Sequence, residues 1–419
     1  MSGSAESIYE RRLDLAFAGL MSALFLGLLL VYGPVNIEQY HSSHPAVRVF
    51  HRGLFEGRYL FWTDAFGLGT PIPLGENLAF HPLLLFDQLL SLRWVLSVFW
   101  MSHLTVGGYY LLRLCRSVGV DSAVARFVAF GFIASPVTAN YAYTDDWPSL
   151  FVGWTMLPVL IFHICRFAVG TSAWQLWRSA SILVLLLSFV LWNSHLGYLV
   201  TLGSMFVCLV VFLSGTDRKI LIRFTAVAGA SALLASERLF FVASEALRFP
   251  PGVEKVTQGP VPFGAWVDQL YRPLSGPILT ALAAGDLKAT LHAYLTTMAN
   301  VRIPFLGLVF FLAASWTVVS SLRGSVGDTP GRHQRAIAAS FCLSVMMSLL
   351  PPVVLLYAPS AMWQFRDPAT LFGLVAAGIA LSSWRQRSIM AKRAAIWSSR
   401  HGRSPRVSPR RREIGRAHV

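Results

Sequence analysis

The residues of this chain best suited to chemistry are acids and arginines set where long apolar runs end. Glu38 and Gln39 stand in IEQY, about five residues past the first such run on the helix-length count. A carboxylate there, in a loop able to fold back over a cavity, is placed to act as a general base. Gln39 beside it could orient a sugar or a phosphate, and the plainer alternative is a solvated loop acid. Asp145 and Asp146 are adjacent in YTDDWPS. Two neighbouring carboxylates repel unless they are solvated, paired or bridged by a cation, and a hard divalent ion such as Mg²⁺ or Mn²⁺ fits them. The competing reading is a solvated turn before the next helix. Glu237 and Arg238 fall inside an apolar run, SALLASERLFF. They are candidates for substrate binding or for an ion pair that fixes packing. Arg366, followed by Asp367 in WQFRDPATLF, has the fork geometry that suits a phosphate, or else it anchors a helix end beside Trp363.

The elements that must position these groups are membrane spans. The chain is 55% hydrophobic and 13% charged, where soluble domains are about a quarter charged. Runs of about 20 apolar residues place roughly ten helices, near 14–33, 93–114, 122–141, 148–168, 179–194, 196–215, 224–244, 301–322, 336–356 and 369–384. Glu237 and Arg238 would then lie within the seventh span, toward its outer end. Basic residues collect in every second connection: Arg11/Arg12, Arg113/Arg116, Arg166/Arg178, Arg218/Lys219/Arg223 and Arg323/Arg332/Arg335. That alternation is the positive-inside pattern, and it predicts a multi-pass membrane protein with both termini cytoplasmic. The net charge of +15 is absorbed by this pattern, so nucleic acid is not an expected partner.

Two outer loops are long, 34–92 and 245–300. The first is too aromatic for a disordered connection and too long for a simple one. The second carries a turn-rich PPGVEKVTQGPVPFG, then pieces around 266–271 and 278–295 that read as helices lying in the interface. A membrane module over 1–385 is expected, with a basic disordered tail over 386–419. The ending EIGRAHV reads either as translated adapter sequence, in which case a longer natural chain is expected, or as a natural disordered tail. The four cysteines have no metal-ligand or disulfide spacing, and the histidines match no metal motif. His103 reads as a hydrogen-bonded packing residue of the second span. P-loop, Rossmann and G-x-S-x-G signatures are absent from the sequence.

Five segments, in consistent order over residues 10–385, resemble the YfhO-type membrane proteins within the GT-C class of glycosyltransferases. They are IEQY, FWTDAFGLGTPIPLGENLAFHPLLLF, HLTVGGYYLLRLCRSVGV, ALLASERLFFVASEALRF and WQFRDPATLF. The resemblance implies an all-α, GT-C-like bundle that moves a sugar from a polyprenyl-phosphate donor to an envelope glycan or lipid acceptor on the outer face. It also implies an acid of the first outer loop at the active site, the position Glu38 occupies, although the family more often has Asp there. In that chemistry Glu38 deprotonates or orients the acceptor hydroxyl, Arg366 offsets charge on the leaving phosphate, and Asp145 or Asp146 holds a divalent ion. A lipid or glycan flippase and a non-catalytic membrane scaffold are the alternatives.

Overall fold

The computed structural model describes residues 8–32, 48–57, 62–63, 70–71, 81–139, 141, 148–194, 196–215, 217–240, 276–290, 293, 307–323, 329–349 and 366–401. Within them the fold is helical except for one two-residue antiparallel pairing, β1 (Trp62–Thr63) with β2 (Thr70–Pro71). The helices are α1 (Ile8–Tyr32), α2 (Leu92–Ser117), α3 (Ser122–Ile133), α4 (Pro148–Ala168), α5 (Ala173–Asn193) and α6 (Leu196–Ser214), then α7 (Arg218–Leu234), α8 (Gly276–Ala283), α9 (Gly307–Arg323), α10 (Thr329–Leu349) and α11 (Arg366–His401). Each apolar run expected to be helical overlaps one of them. Four helical stretches among the described residues are long and apolar enough to cross a bilayer: Trp94–Ser117, Ser122–Ala139, Ser149–Ala168 and Ala173–Asn193.

The differences from expectation lie at helix ends. Helix α5 begins at Ala173, several residues early, because Ser172 caps it by accepting from Gln175 N at 3.3 Å. Hydropathy misses that first turn because it carries Trp174, Gln175, Trp177 and Arg178. Helix α3 breaks after Ile133. Pro136 has no N–H to return to the Phe132 carbonyl, and the Thr138 hydroxyl donates to that carbonyl instead, at 3.0 Å. Ser135 Oγ accepts from Thr138 N at 3.1 Å and starts a single new turn, Pro136–Ala139. Helix α7 stops at Leu234, Ala235 turns, and helix resumes over 236–240. Glu237 and Arg238 therefore lie beyond a break, where an unbroken span was expected. The expected disordered tail from 386 also needs correction, since α11 runs unbroken to His401. Residues 385–401 are charged, but Arg, Lys, Ala, Gln and Met are good helix formers, and no Gly or Pro occurs before Gly402. Charge removes a segment from the membrane without removing its helicity.

Helix α4 is the axis of the bundle. Of its most apolar window 94% is buried inside the protein, against 17% for α5, which leaves α5 facing outward. Helices α2, α5, α6 and α11 surround α4, α1 packs on α2, and α9 and α10 pack on α11. Glycines set the closest approach. A Cβ on Gly107 of α2 would stand 2.7 Å from the Thr155 carbonyl oxygen of α4, and one on Gly108 would stand 2.9 Å from Ile133. Small residues let membrane helices approach in this way. Gly107→Ala is therefore expected to destabilise the protein by about 1–3 kcal/mol, because the obstacle is backbone that cannot rotate away. Unfolding in detergent measures the effect, with Gly203→Ala as control, since a Cβ at Gly203 meets nothing within 4 Å. Equal stability of the two variants would remove Gly107 from the packing argument.

At the basic end the α2–α3 connection is tied from several sides. Gly119, at φ +87°, forms the left-handed turn that closes α2, with Val120 N donating to the Cys115 carbonyl at 2.9 Å. Asp121 caps α3 through Ala123 N at 3.0 Å, and its own N–H donates to Ser382 Oγ of α11 at 2.9 Å. Arg385 of α11 pairs with Asp121, and Gln334 of α10 donates to the Val118 carbonyl at 2.9 Å. Arg116 grips Asp14 of α1 with both terminal nitrogens, at 2.6 and 2.7 Å, and Asp14 is fully buried.

Candidate functional site

The described end of the first long loop, from His81 to Gln88, packs on α2. Residues 48–55 of the loop form a helical stretch, and Leu84–Gln88 form a 3₁₀ turn. His51 Nδ1 donates to Asp87 Oδ1 at 3.1 Å with both side chains buried. Gln88 Nε2 donates to Asp87 Oδ1 at 2.9 Å and to the Arg48 carbonyl at 3.3 Å. These bonds join two loop segments more than thirty positions apart.

The loop meets the helices through His81. Leu83 N donates to His81 Nδ1 at 3.3 Å, His81 Nε2 lies 2.8 Å from His103 Nε2 of α2, and His103 Nδ1 lies 3.2 Å from Thr155 Oγ1 of α4. Thr155 donates on to the Phe151 carbonyl at 2.8 Å. The donors and acceptors admit one direction. Because His81 Nδ1 accepts, its proton sits on Nε2 and is donated to His103, whose proton then sits on Nδ1 and is donated to Thr155. Both rings are neutral in this chain. Burial, and next the closeness of His103 and His51, push His81 well below the usual imidazole pKa, in the same sense. Phe99, Phe151 and Phe189 pack against the two rings and exclude water from them. Gly107, one turn from His103, is what lets α4 bring Thr155 within reach. His103 is thus the hydrogen-bonded packing residue expected of it, and His81 is the partner that sequence spacing does not reveal.

Thr155 follows Trp154, whose Nε1 donates to Thr138 Oγ1 at 2.9 Å. Two consecutive residues of α4 therefore support two different structures: Thr155 holds the loop, and Trp154 holds the broken end of α3. Just past that break Tyr141 is fully buried and its hydroxyl donates to Asp367 Oδ2 at 2.7 Å. Asp367 is in the first turn of α11, where a carboxylate suits the helix dipole. This bond brings Tyr141 against the first turn of the helix that begins with Arg366.

Of the sequence-derived candidates, Glu38, Gln39, Asp145 and Asp146 lie outside the described residues, as does the side chain of Arg366. Arg366 opens α11. Arg238 is buried, and its Nη2 donates to the Ser194 carbonyl at the C-terminal end of α5 at 2.6 Å. A cation there satisfies a terminal carbonyl and complements the helix dipole, so a packing role accounts for this contact. Glu237 is half-buried. Among the described residues no group of three His, Cys, Asp or Glu side chains is arranged to hold a metal ion. The contacts that sequence reasoning overlooked, His51–Asp87, His81–His103 and Tyr141–Asp367, join residues 22 to 226 positions apart. The single sequence signal for any of them is the buried-type histidine inside the apolar run of α2.

No protein-family model matches the chain, and no curated protein matches it. The helices define it as an all-α bundle of the multi-pass membrane class.

Proposed function

We propose that the chain is a membrane glycosyltransferase that moves a sugar from a polyprenyl-phosphate donor to a glycan or lipid acceptor on the outer face of a bacterial cytoplasmic membrane. In this reading about ten helices span the membrane in a GT-C-like arrangement, both termini are cytoplasmic, and loop 34–92 carries the catalytic acid, Glu38. The resemblance of the five sequence segments to YfhO-type proteins motivates it. One structural observation supports it: the His81–His103–Thr155 chain fixes the first loop against the helix bundle. A loop that merely connected two spans would have no use for a buried anchor at the level of the eleventh residue after Leu92, some 17 Å along α2 at 1.5 Å per residue.

The chemistry follows from the residue types. Glu38 takes the proton of the acceptor hydroxyl as that oxygen attacks the anomeric carbon. The bond from that carbon to the lipid phosphate breaks, and phosphate leaves with the electron pair. Arg366 stabilises the charge it gains, with Gln39, Glu237 and Arg238 as further substrate contacts. Asp145 and Asp146 would hold Mg²⁺ or Mn²⁺ if the reaction uses an ion. The test is transfer of labelled sugar in proteoliposomes from a panel of polyprenyl-phosphate sugars to an envelope extract, with and without chelator. Label in the acceptor fraction is the expected result. No transfer from any donor, with movement of the labelled lipid between leaflets, would replace the enzyme by a flippase.

A further inference from the structure

Helices α5 and α7 run parallel. Ser231 and Leu234 of α7 bond to α5 in register, with Ser188 Oγ donating to the Ser231 carbonyl at 3.3 Å and Trp192 Nε1 to the Leu234 carbonyl at 3.2 Å. Toward the basic end the two helices line a groove of about 430 Å³. That volume falls within the ordinary range of ligand sites, about 300–1,000 Å³. The gap exists because Ala180 of α5 faces Ala226 and Ala230 of α7, and its deeper walls are Leu176, Val184 and Val227.

The composition of the groove changes along its length. Its mouth holds Trp177 and Arg223, each within about two turns of its helix start, and everything deeper is apolar for about 10 Å, from Arg223 to Ala230 at 1.5 Å per residue. Trp174 and Trp177 are stacked and exposed, the placement of an interfacial aromatic belt. Arg178, Arg218 and Lys219 are exposed around the same end. Under the positive-inside pattern this end faces the cytoplasm, where the leaflet is anionic.

We propose that this groove is a binding site for an anionic glycerophospholipid. Its phosphate lies against Arg223, its glycerol beside Trp177, and one acyl chain along the alanine-lined bed. The order of chemistries is the argument: a guanidinium at the depth of a headgroup, an indole at the depth of the ester region, and an apolar trough at the depth of a chain. A free phosphate would need only the first of these. A partner helix would gain nothing from the arginine at the mouth. The site lies at the basic end of α5 and α7, at the opposite end of these helices from Glu237 and Arg238, and does not depend on the sugar-transfer chemistry.

The experiment is native mass spectrometry of the full chain in detergent, with phosphatidylglycerol, phosphatidylcholine or inorganic phosphate added. Phosphatidylglycerol is expected to be retained about fivefold over phosphatidylcholine, the scale of one basic residue at a membrane surface. Arg223→Gln removes that preference, and Ala226→Leu, which fills the bed, lowers retention of both lipids. Because Arg223 sits half-buried at the mouth, Arg223→Gln keeps the packing and decides the matter even if the filled variant fails to fold. Equal retention of the two lipids by the wild type, a preference unchanged in Arg223→Gln, or displacement of lipid by millimolar phosphate would each overturn the site.

Discussion

Glu38→Gln is expected to lower the rate of sugar transfer by about 10²–10⁴, the usual contribution of a general base. The substitution keeps the shape and the hydrogen-bonding reach of the side chain and removes its ability to take a proton. Donor binding should survive, because the lipid phosphate is assigned to Arg366, so the loss falls on kcat with KM little changed. Glu38→Asp supplies the control. It shortens the side chain by one methylene and installs the acid that the resembled family more often uses, so activity is retained. Fold should be indifferent to both changes, since among the described residues the loop is anchored by His51, Asp87, His81 and Gln88. The measurement is the proteoliposome transfer assay, with detergent stability followed in parallel. Full activity in Glu38→Gln would remove this residue from the mechanism while leaving the donor reading open to another acid.

The second large effect concerns the fold. Asp14→Ala is expected to destabilise the protein by about 3–5 kcal/mol, the cost of leaving one partner of a buried ion pair without the other. Asp14 is fully buried and receives two nitrogens of Arg116, whose side chain is only 17% exposed. Losing the carboxylate removes both of the bonds by which the Arg116 guanidinium holds α1. The sign of the effect changes if both partners go. Asp14→Leu combined with Arg116→Met replaces the pair by apolar groups and is expected to recover most of the loss. Unfolding by denaturant in micelles gives both numbers. A single-variant loss below about 0.5 kcal/mol would mean that the pair behaves like one at an exposed surface.

These two cases mark what could be read from the sequence. The helices were legible because long apolar runs have few other ways to satisfy their backbone in a bilayer. The break in α3 was missed, a single helix being expected over 122–141 despite Pro136, and the use of Thr138 to recover the lost carbonyl bond depends on which way a hydroxyl turns. The helical continuation of α11 past Arg385 was misread because a basic, serine-bearing segment resembles a disordered one in composition, while helix propensity looks past charge. Asp14 and Arg116 are 102 positions apart, and nothing in either local sequence names the other. The same holds for His81 and His103, where a hydrophobic run could announce a buried histidine without its partner. The acids proposed for chemistry were chosen by position at the ends of apolar runs, and Glu38, Gln39, Asp145 and Asp146 lie outside the described residues.

The bond from Asp121 to Ser382 spans 261 residues, and it has a consequence in time. Helix α3 leaves the ribosome long before α11 does. At about 5–20 residues per second the delay is on the order of tens of seconds. During it, the face of α3 carrying Gly131 and Val128, against which α11 comes to rest, has only lipid for company. Helix α11 therefore completes the bundle late, where it seats against α3. A nascent chain caught before that moment presents an open stave to the membrane, and this is the surface that quality control of an unfinished copy would meet first.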